Sequence, residues 1–185
     1  GTKSDAWEGG HRVPFIARWP GKIPAGETTA KLLSLTDLYA TFLAAAGLSK
    51  PPGAAVDSVN MLGLLEDPAG APGLDGMLYK GKAGALRVGD WSYHPQQGPG
   101  GLFSSGPIVK LNQKHSDYDE QGKIKTDAPV DQLYNLREDP AQSQNLVTSR
   151  ADIAAVMKDI LAKFQEANRK NETPLQSVLA GLPPE

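Results

Sequence analysis

The chain contains no cysteine in its 185 residues. Disulfides, thiolate metal sites and a cysteine nucleophile are thereby excluded, and the redox compartment stays open. A basic excess is also missing. Nineteen Lys and Arg stand against 21 Asp and Glu, for a formal charge of -2. Nothing here would neutralise a run of phosphates, so nucleic acid is not an expected partner. No apolar run reaches the roughly eighteen residues of a spanning helix, so a membrane is not expected either. No basic-apolar leader opens the chain, an absence that says little about export. Gly-x-Ser-x-Gly, His-Glu-x-x-His and Gly-x-Gly-x-x-Gly are all absent. No complete catalytic machinery is legible from the residues alone.

Glycine and proline are abundant, at 20 and 15 residues, while apolar residues make up only 39%. That balance predicts much loop without wholesale disorder. Val13–Trp19 reads as a strand, short and mostly apolar, between Gly9-Gly10 and Pro20-Gly21. A helix follows, with Leu35, Leu38, Tyr39, Phe42, Leu43 and Ala46 on one face. Ser34 and Asp37 make its capping pattern, and Gly47 stands at its C-cap. Residues 48–84 are rich in Pro and Gly, and Val59–Leu65 suggests a helical turn or two. Ala85–Tyr93 reads as strand, turn and strand, with Gly89-Asp90 turning. Ile108–Leu111 and Gln132–Leu136 read as further strands. Ile153, Val156, Met157, Ile160, Leu161 and Phe164 form the apolar stripe of a second helix. The expected organisation is residues 1–50 as the end of an α/β domain and 51–84 as linker. Residues 85–168 form a small α+β subdomain with an antiparallel sheet and packed helix, and 169–185 a flexible tail.

The candidate chemistry gathers near residue 1. Lys3 precedes Gly9 and Gly10, and an ammonium on a glycine-rich loop suits an anion such as sulfate or phosphate. A solvated lysine is the plain alternative. Glu8 and Arg12 flank the turn and are expected to pair, giving Trp7, Glu8, Gly9, Gly10 and Arg12 a structural role in the loop. His11 could face a substrate or serve as a structural residue. His115, Asp117, Asp119, Gln121 and Gly122 have the look of a metal site, and the last four imitate the start of a calcium-binding loop. Ala128 stands where the closing bidentate Glu belongs, so a hairpin turn is expected and no metal ligands are assigned. The Gly98–Gly106 loop is a candidate specificity element.

Lys3-Ser4-Asp5-Ala6-Trp7-Glu8-Gly9-Gly10-His11-Arg12-Val13-Pro14, running on to Trp19-Pro20-Gly21, resembles a segment of the sulfatase family. That family's pattern is Gly-Lys-x-x-x-Trp/Tyr-Glu-Gly-Gly-x-Arg-x-Pro, with Thr2 here replacing the first glycine. Ser34–Leu43 with Gly47, Asp57–Leu62, Arg87–Trp91 and Gln132–Leu136 with Asp139-Pro140 and Asn145-Leu146 resemble later family segments in the same order.

The resemblance implies an alkaline-phosphatase-like α/β domain followed by a small carboxyl-terminal subdomain. It implies hydrolysis of sulfate esters by a formylglycine, with a calcium ion and basic side chains holding the sulfate. The partner it implies is a sulfated small molecule or glycan, and the compartment periplasmic or secreted. Lys3 matches the family's sulfate-contacting lysine, and His11 falls at a variable position. The Cys/Ser-x-Pro-x-Arg source of formylglycine and the metal-binding Asp and Asp-Asn pairs have no match. The expectation is the carboxyl-terminal part of a sulfatase, inactive alone and self-associating through exposed apolar surface. A free-standing sulfatase-like binding or scaffold module is the alternative, and a phosphatase or phosphonate hydrolase of the same superfamily a weaker one.

Overall fold

The computed structural model describes residues 3–79, 84–100, 114–169 and 175–180. It divides into two compact units, one of residues 1–13 and 78–166 and one of 14–77 and 167–185.

The first unit is built on a four-stranded sheet in the order β1-β2-β3-β4 (Gly76–Tyr79, Ala85–Val88, Trp91–His94, Gln132–Asn135). The β2–β3 hairpin forms where the sequence places it. Gly89 takes φ 53°, a left-handed value that glycine adopts without strain. Leu86 then faces Tyr93 and Val88 faces Trp91 across an antiparallel register. β4 pairs antiparallel to β3, with Tyr93 opposite Leu133 and His94 opposite Gln132. Leu86, Tyr93, Leu133 and Tyr134 are fully buried. Asp119 caps a turn by accepting the N–H groups of Gln121 and Lys123, and Tyr118 bridges to Ile124 behind it. This is the expected hairpin turn. The strand expected at Ile108–Leu111 lies outside the described residues.

The long helix of this unit spans Ala151–Arg169. Its 3.6-residue periodicity works as expected. Met157, Ile160, Leu161 and Phe164 are buried, while Val156 at the stripe's edge stays exposed. Lys158 reaches Asp131, just before β4, at 3.3 Å.

In the second unit a 3₁₀ turn, Leu35–Asp37, leads into a helix at Leu38–Ala45. Ser34 and Asp37 form a full capping box, with Ser34 Oγ accepting from Thr36 N–H and Asp37 Oδ2 from Ser34 N–H. Gly47 closes the helix at φ 70°. Asp37 is buried, and its Oδ1 also accepts from Val59 N–H at 2.9 Å. Burial raises its pKa, against the lowering effect of both N–H donors. Thr41 Oγ1 donates to Asp37 O and accepts from Met61 N–H. The 57–62 segment is thus laced to the helix, and Leu62–Glu66 forms the expected short turn of helix.

Two expectations need correction. Val13–Trp19 is not a strand. It makes no ladder hydrogen bond among the described residues, and Val13, Phe15 and Ile16 are exposed, Ile16 by 90%. A short apolar run becomes a strand only where a neighbouring backbone offers pairing groups. The helix at 38–45 also does not bury the stripe its spacing suggests. Asp37, Ala40 and Thr41 are covered, whereas Leu35, Tyr39 and Phe42 are exposed. The polar lacing to residues 57–62 decides which side is covered. Within residues 169–185, Leu175–Ala180 form a short helix with Leu179 buried.

Candidate functional site

The loop that carries Lys3 belongs to the sheet unit and is held there residue by residue. Ser4 turns the chain at φ 78°. Ala6 N–H donates to Pro99 O at 2.7 Å. Glu8–His11 then form one helical turn, closed by Arg12 N–H on Glu8 O at 2.8 Å. Gly10 is required by close approach. A Cβ placed there would lie against Asp5 O and 2.8 Å from Asp5 N. The loop therefore doubles back, setting Asp5 and its neighbours beside Gly10 and His11.

Trp7 is the loop's anchor. It is 4% exposed and lies in a core cluster with Tyr118, Tyr134 and Leu136. Its indole stacks on His115, with centroids 4.7 Å apart and planes 17° apart. Its Nε1–H donates to Gln132 Oε1 at 3.1 Å. Tyr134 O–H donates to the same oxygen at 2.5 Å. Gln132 Nε2 donates to Gln96 O and Gly98 O. With the Tyr134 proton so used, His115 Nε2 is the donor to Tyr134 O, and its Nδ1 accepts from Asp117 N–H. His115 is therefore neutral. Burial lowers its pKa, against the opposing pull of Asp117 and Asp139.

Glu8 is tied down through its backbone. Its N–H donates to Gln142 Oε1 at 2.6 Å. That contact orients the Gln142 amide, whose Nε2 donates to His94 Nε2 at 3.2 Å. Ser92 Oγ also meets His94 Nε2, at 2.9 Å. His94 must then carry its proton on Nδ1, which is buried and has no hydrogen-bond partner. Full burial depresses its pKa to about 3. Around the Glu8 carboxylate stand Arg12 at 3.5 Å and Arg87 and His11 at 3.8 Å. The expected Glu8–Arg12 pair forms, and Arg87 from β2 joins it.

His11 sits over Tyr79, ring on ring, with centroids 3.8 Å apart. Its Nε2 meets Ala6 O at 3.1 Å. Lys3 is exposed on the loop's outer limb. The structure thus holds Trp7, Glu8, Gly9, Gly10, His11 and Arg12 in one built loop with Lys3 at its entry.

Sequence reading missed Arg87, His94, Gln132 and Gln142, which support this loop from the sheet and from the turn after β4. Lone polar residues within short strands carry no periodic signal that separates a buried partner from a surface one. Among the described residues, no group of three or more His, Asp or Glu is placed to hold a metal ion. The calcium that the resemblance implies does not fit the residues described here. The Gly98–Gly106 loop lies largely outside the described residues.

Residues 1–48 match the sulfatase family model. The chain is 29% identical over 182 residues to rat arylsulfatase G, covering 90% of this chain and 32% of the relative. It is 47% identical over 60 residues to pig N-acetylgalactosamine-6-sulfatase, covering 32% of this chain and 12% of that one. Among solved structures, it resembles a Bacteroides thetaiotaomicron chain connected with the metabolism of multiple glycosaminoglycans. The TM-score is 0.65 at 23% identity, over 89% of this chain and 31% of that one. These findings bear out the sulfatase resemblance and the alkaline-phosphatase-like fold. The chain spans about a third of the length of the arylsulfatase G relative.

Proposed function

From its place in the sulfatase family, we propose that this chain is the carboxyl-terminal part of an enzyme that hydrolyses sulfate esters. In this reading Lys3 contacts the sulfate and His11 lines the same site. The carrying observation is the loop itself. A lysine stands just before a turn whose Ala6, Trp7 and Glu8 are bonded to Pro99, Gln132 and Gln142. An ammonium beside such a frame suits the charge that develops on sulfate oxygens.

Formylglycine and calcium would be supplied by residues outside this chain, so the chain alone is inactive. The substrate is a sulfated small molecule or glycan, and the complete enzyme works in an exported compartment. The exposed Val13, Phe15, Ile16, Leu35, Tyr39 and Phe42 side chains lead the isolated chain to self-associate.

The test uses the protein expressed from its full native reading frame. Chromogenic aryl sulfate should be hydrolysed in preference to aryl phosphate. Lys3→Ala should lower kcat/KM by about 100-fold, the usual effect of losing one charge-stabilising donor. Preference for the phosphate, or an unaltered kcat/KM in Lys3→Ala, would overturn the reading.

A further inference from the structure

We infer that Gln132 is a positioning residue for sulfate ester hydrolysis: its side-chain amide ties the Lys3 loop to the turn at residues 96–99, and the reach of Lys3 toward the sulfate depends on that tie. The inference rests on the sulfate-binding reading of Lys3 given above.

The amide is fully buried, and both of its ends are doubly engaged. Oε1 accepts from Trp7 Nε1–H at 3.1 Å and from Tyr134 O–H at 2.5 Å. Nε2 donates to Gly98 O at 2.7 Å and to Gln96 O. The partners decide which end is which. An indole N–H can only donate and a carbonyl oxygen can only accept. A flipped amide would set donors against the indole and an acceptor against two carbonyls.

The two bonds that hold the loop nearest to Lys3 both run through this side chain. Trp7 is bonded to it directly. Ala6 N–H donates to Pro99 O at 2.7 Å, and Pro99 follows the glycine whose carbonyl Nε2 holds. That carbonyl lies in the same peptide plane as the Pro99 ring nitrogen, and the ring fixes φ of Pro99. Only one soft torsion then separates the held carbonyl from the one that Ala6 uses. The turn is also closely packed. Pro99 is fully buried, and Gly98 takes φ 68° where a Cβ would lie 2.7 Å from the Tyr118 hydroxyl oxygen. Glu8, farther from Lys3, is held separately by Gln142. Without the Gln132 amide, an indole N–H, a hydroxyl and two carbonyls would all lose a partner in a buried place. The loop and the turn would shift to satisfy them.

The test uses the enzyme expressed from its full native reading frame, with the chromogenic aryl sulfate as substrate. Gln132→Met keeps an unbranched side chain of similar length and removes all four bonds. It should lower kcat/KM about tenfold and raise KM about threefold, since small displacements of a charged group are costly. A fall in the folded fraction lowers apparent kcat and leaves KM unaltered, so the rise in KM separates a displaced Lys3 from a weakened fold. Leu133→Ala is the control. It empties a fully buried apolar site at the next position of β4, so it should lower stability and leave KM at the wild-type value. In a Lys3→Ala background, Gln132→Met should change kcat/KM by less than about twofold, because a residue that acts through Lys3 has nothing left to act on.

Trp7→Phe withdraws only the indole N–H from the same oxygen. Where Gln132→Met fails to fold, Trp7→Phe is carried through the same cycle and judged by the same results. A wild-type KM, or losses that multiply with that of Lys3→Ala, would overturn the inference while the Lys3 reading stands. An unaltered kcat/KM in Lys3→Ala alone would overturn the sulfate reading and this inference with it.

Discussion

Acidification from pH 7.5 to pH 5 should destabilise the sheet unit, and His94 sets most of the size of the effect. The ring is fully buried and its pKa is pushed down to about 3 from an ordinary 6.5. The unfolded chain therefore binds a proton between those values that the folded chain refuses. Stability is fully present above pH 6.5 and is lost as the pH falls toward 3. At pH 7.5 the cost is negligible. At pH 5 the unfolded side chain is about 1.5 pH units below its own pKa, a loss of about 2 kcal/mol at 1.36 kcal/mol per unit. His11 and His115 are shifted in the same direction, so they add to the slope. The assay is urea denaturation followed by tryptophan fluorescence, with Trp7 and Trp91 both reporting from this unit. His94→Gln removes the titration. Whatever its absolute stability, its loss between pH 7.5 and pH 5 should be smaller than wild type by about 2 kcal/mol. Equal losses in the two proteins would refute the neutral, buried state assigned to His94.

Gln142→Ala should cost roughly 2–4 kcal/mol, because it strips partners from both Glu8 N–H and His94 Nε2. Thermal unfolding checks this, and a loss under 0.5 kcal/mol would be that of an ordinary surface position. Gly10→Ala should break the loop, since its Cβ would meet the Asp5 backbone. The expected cost is roughly 1–3 kcal/mol with loss of sulfate binding, and an unaffected variant would contradict the doubled-back geometry. Light scattering on the isolated chain should report a dimer or larger species, driven by the exposed Phe15, Ile16 and Phe42 side chains. A strictly monomeric profile would count against it.

Local signals in the sequence are legible where one short stretch decides the outcome. Ser34 and Asp37 cap their helix, Gly89 turns the hairpin, and the Met157–Phe164 stripe is buried, because each depends on residues within a few positions. Val13–Trp19 shows the limit of that reading. Its composition favours a strand, but pairing requires a backbone from elsewhere in the fold. Lys3, Glu8 and Arg12 could be chosen for their places in one loop. Gln132 and Gln142 lie more than a hundred residues away along the chain, and only the fold brings their amides to Trp7 and Glu8.

In the proposed reading the Lys3 loop is a sulfate site. Its most direct test is titration of the 185-residue chain with inorganic sulfate against chloride at matched ionic strength, following the backbone amides of residues 3–12 by NMR. The expected result is a saturable shift specific to sulfate and abolished by Lys3→Ala. A response that tracks ionic strength alone, equal in wild type and Lys3→Ala, would contradict it.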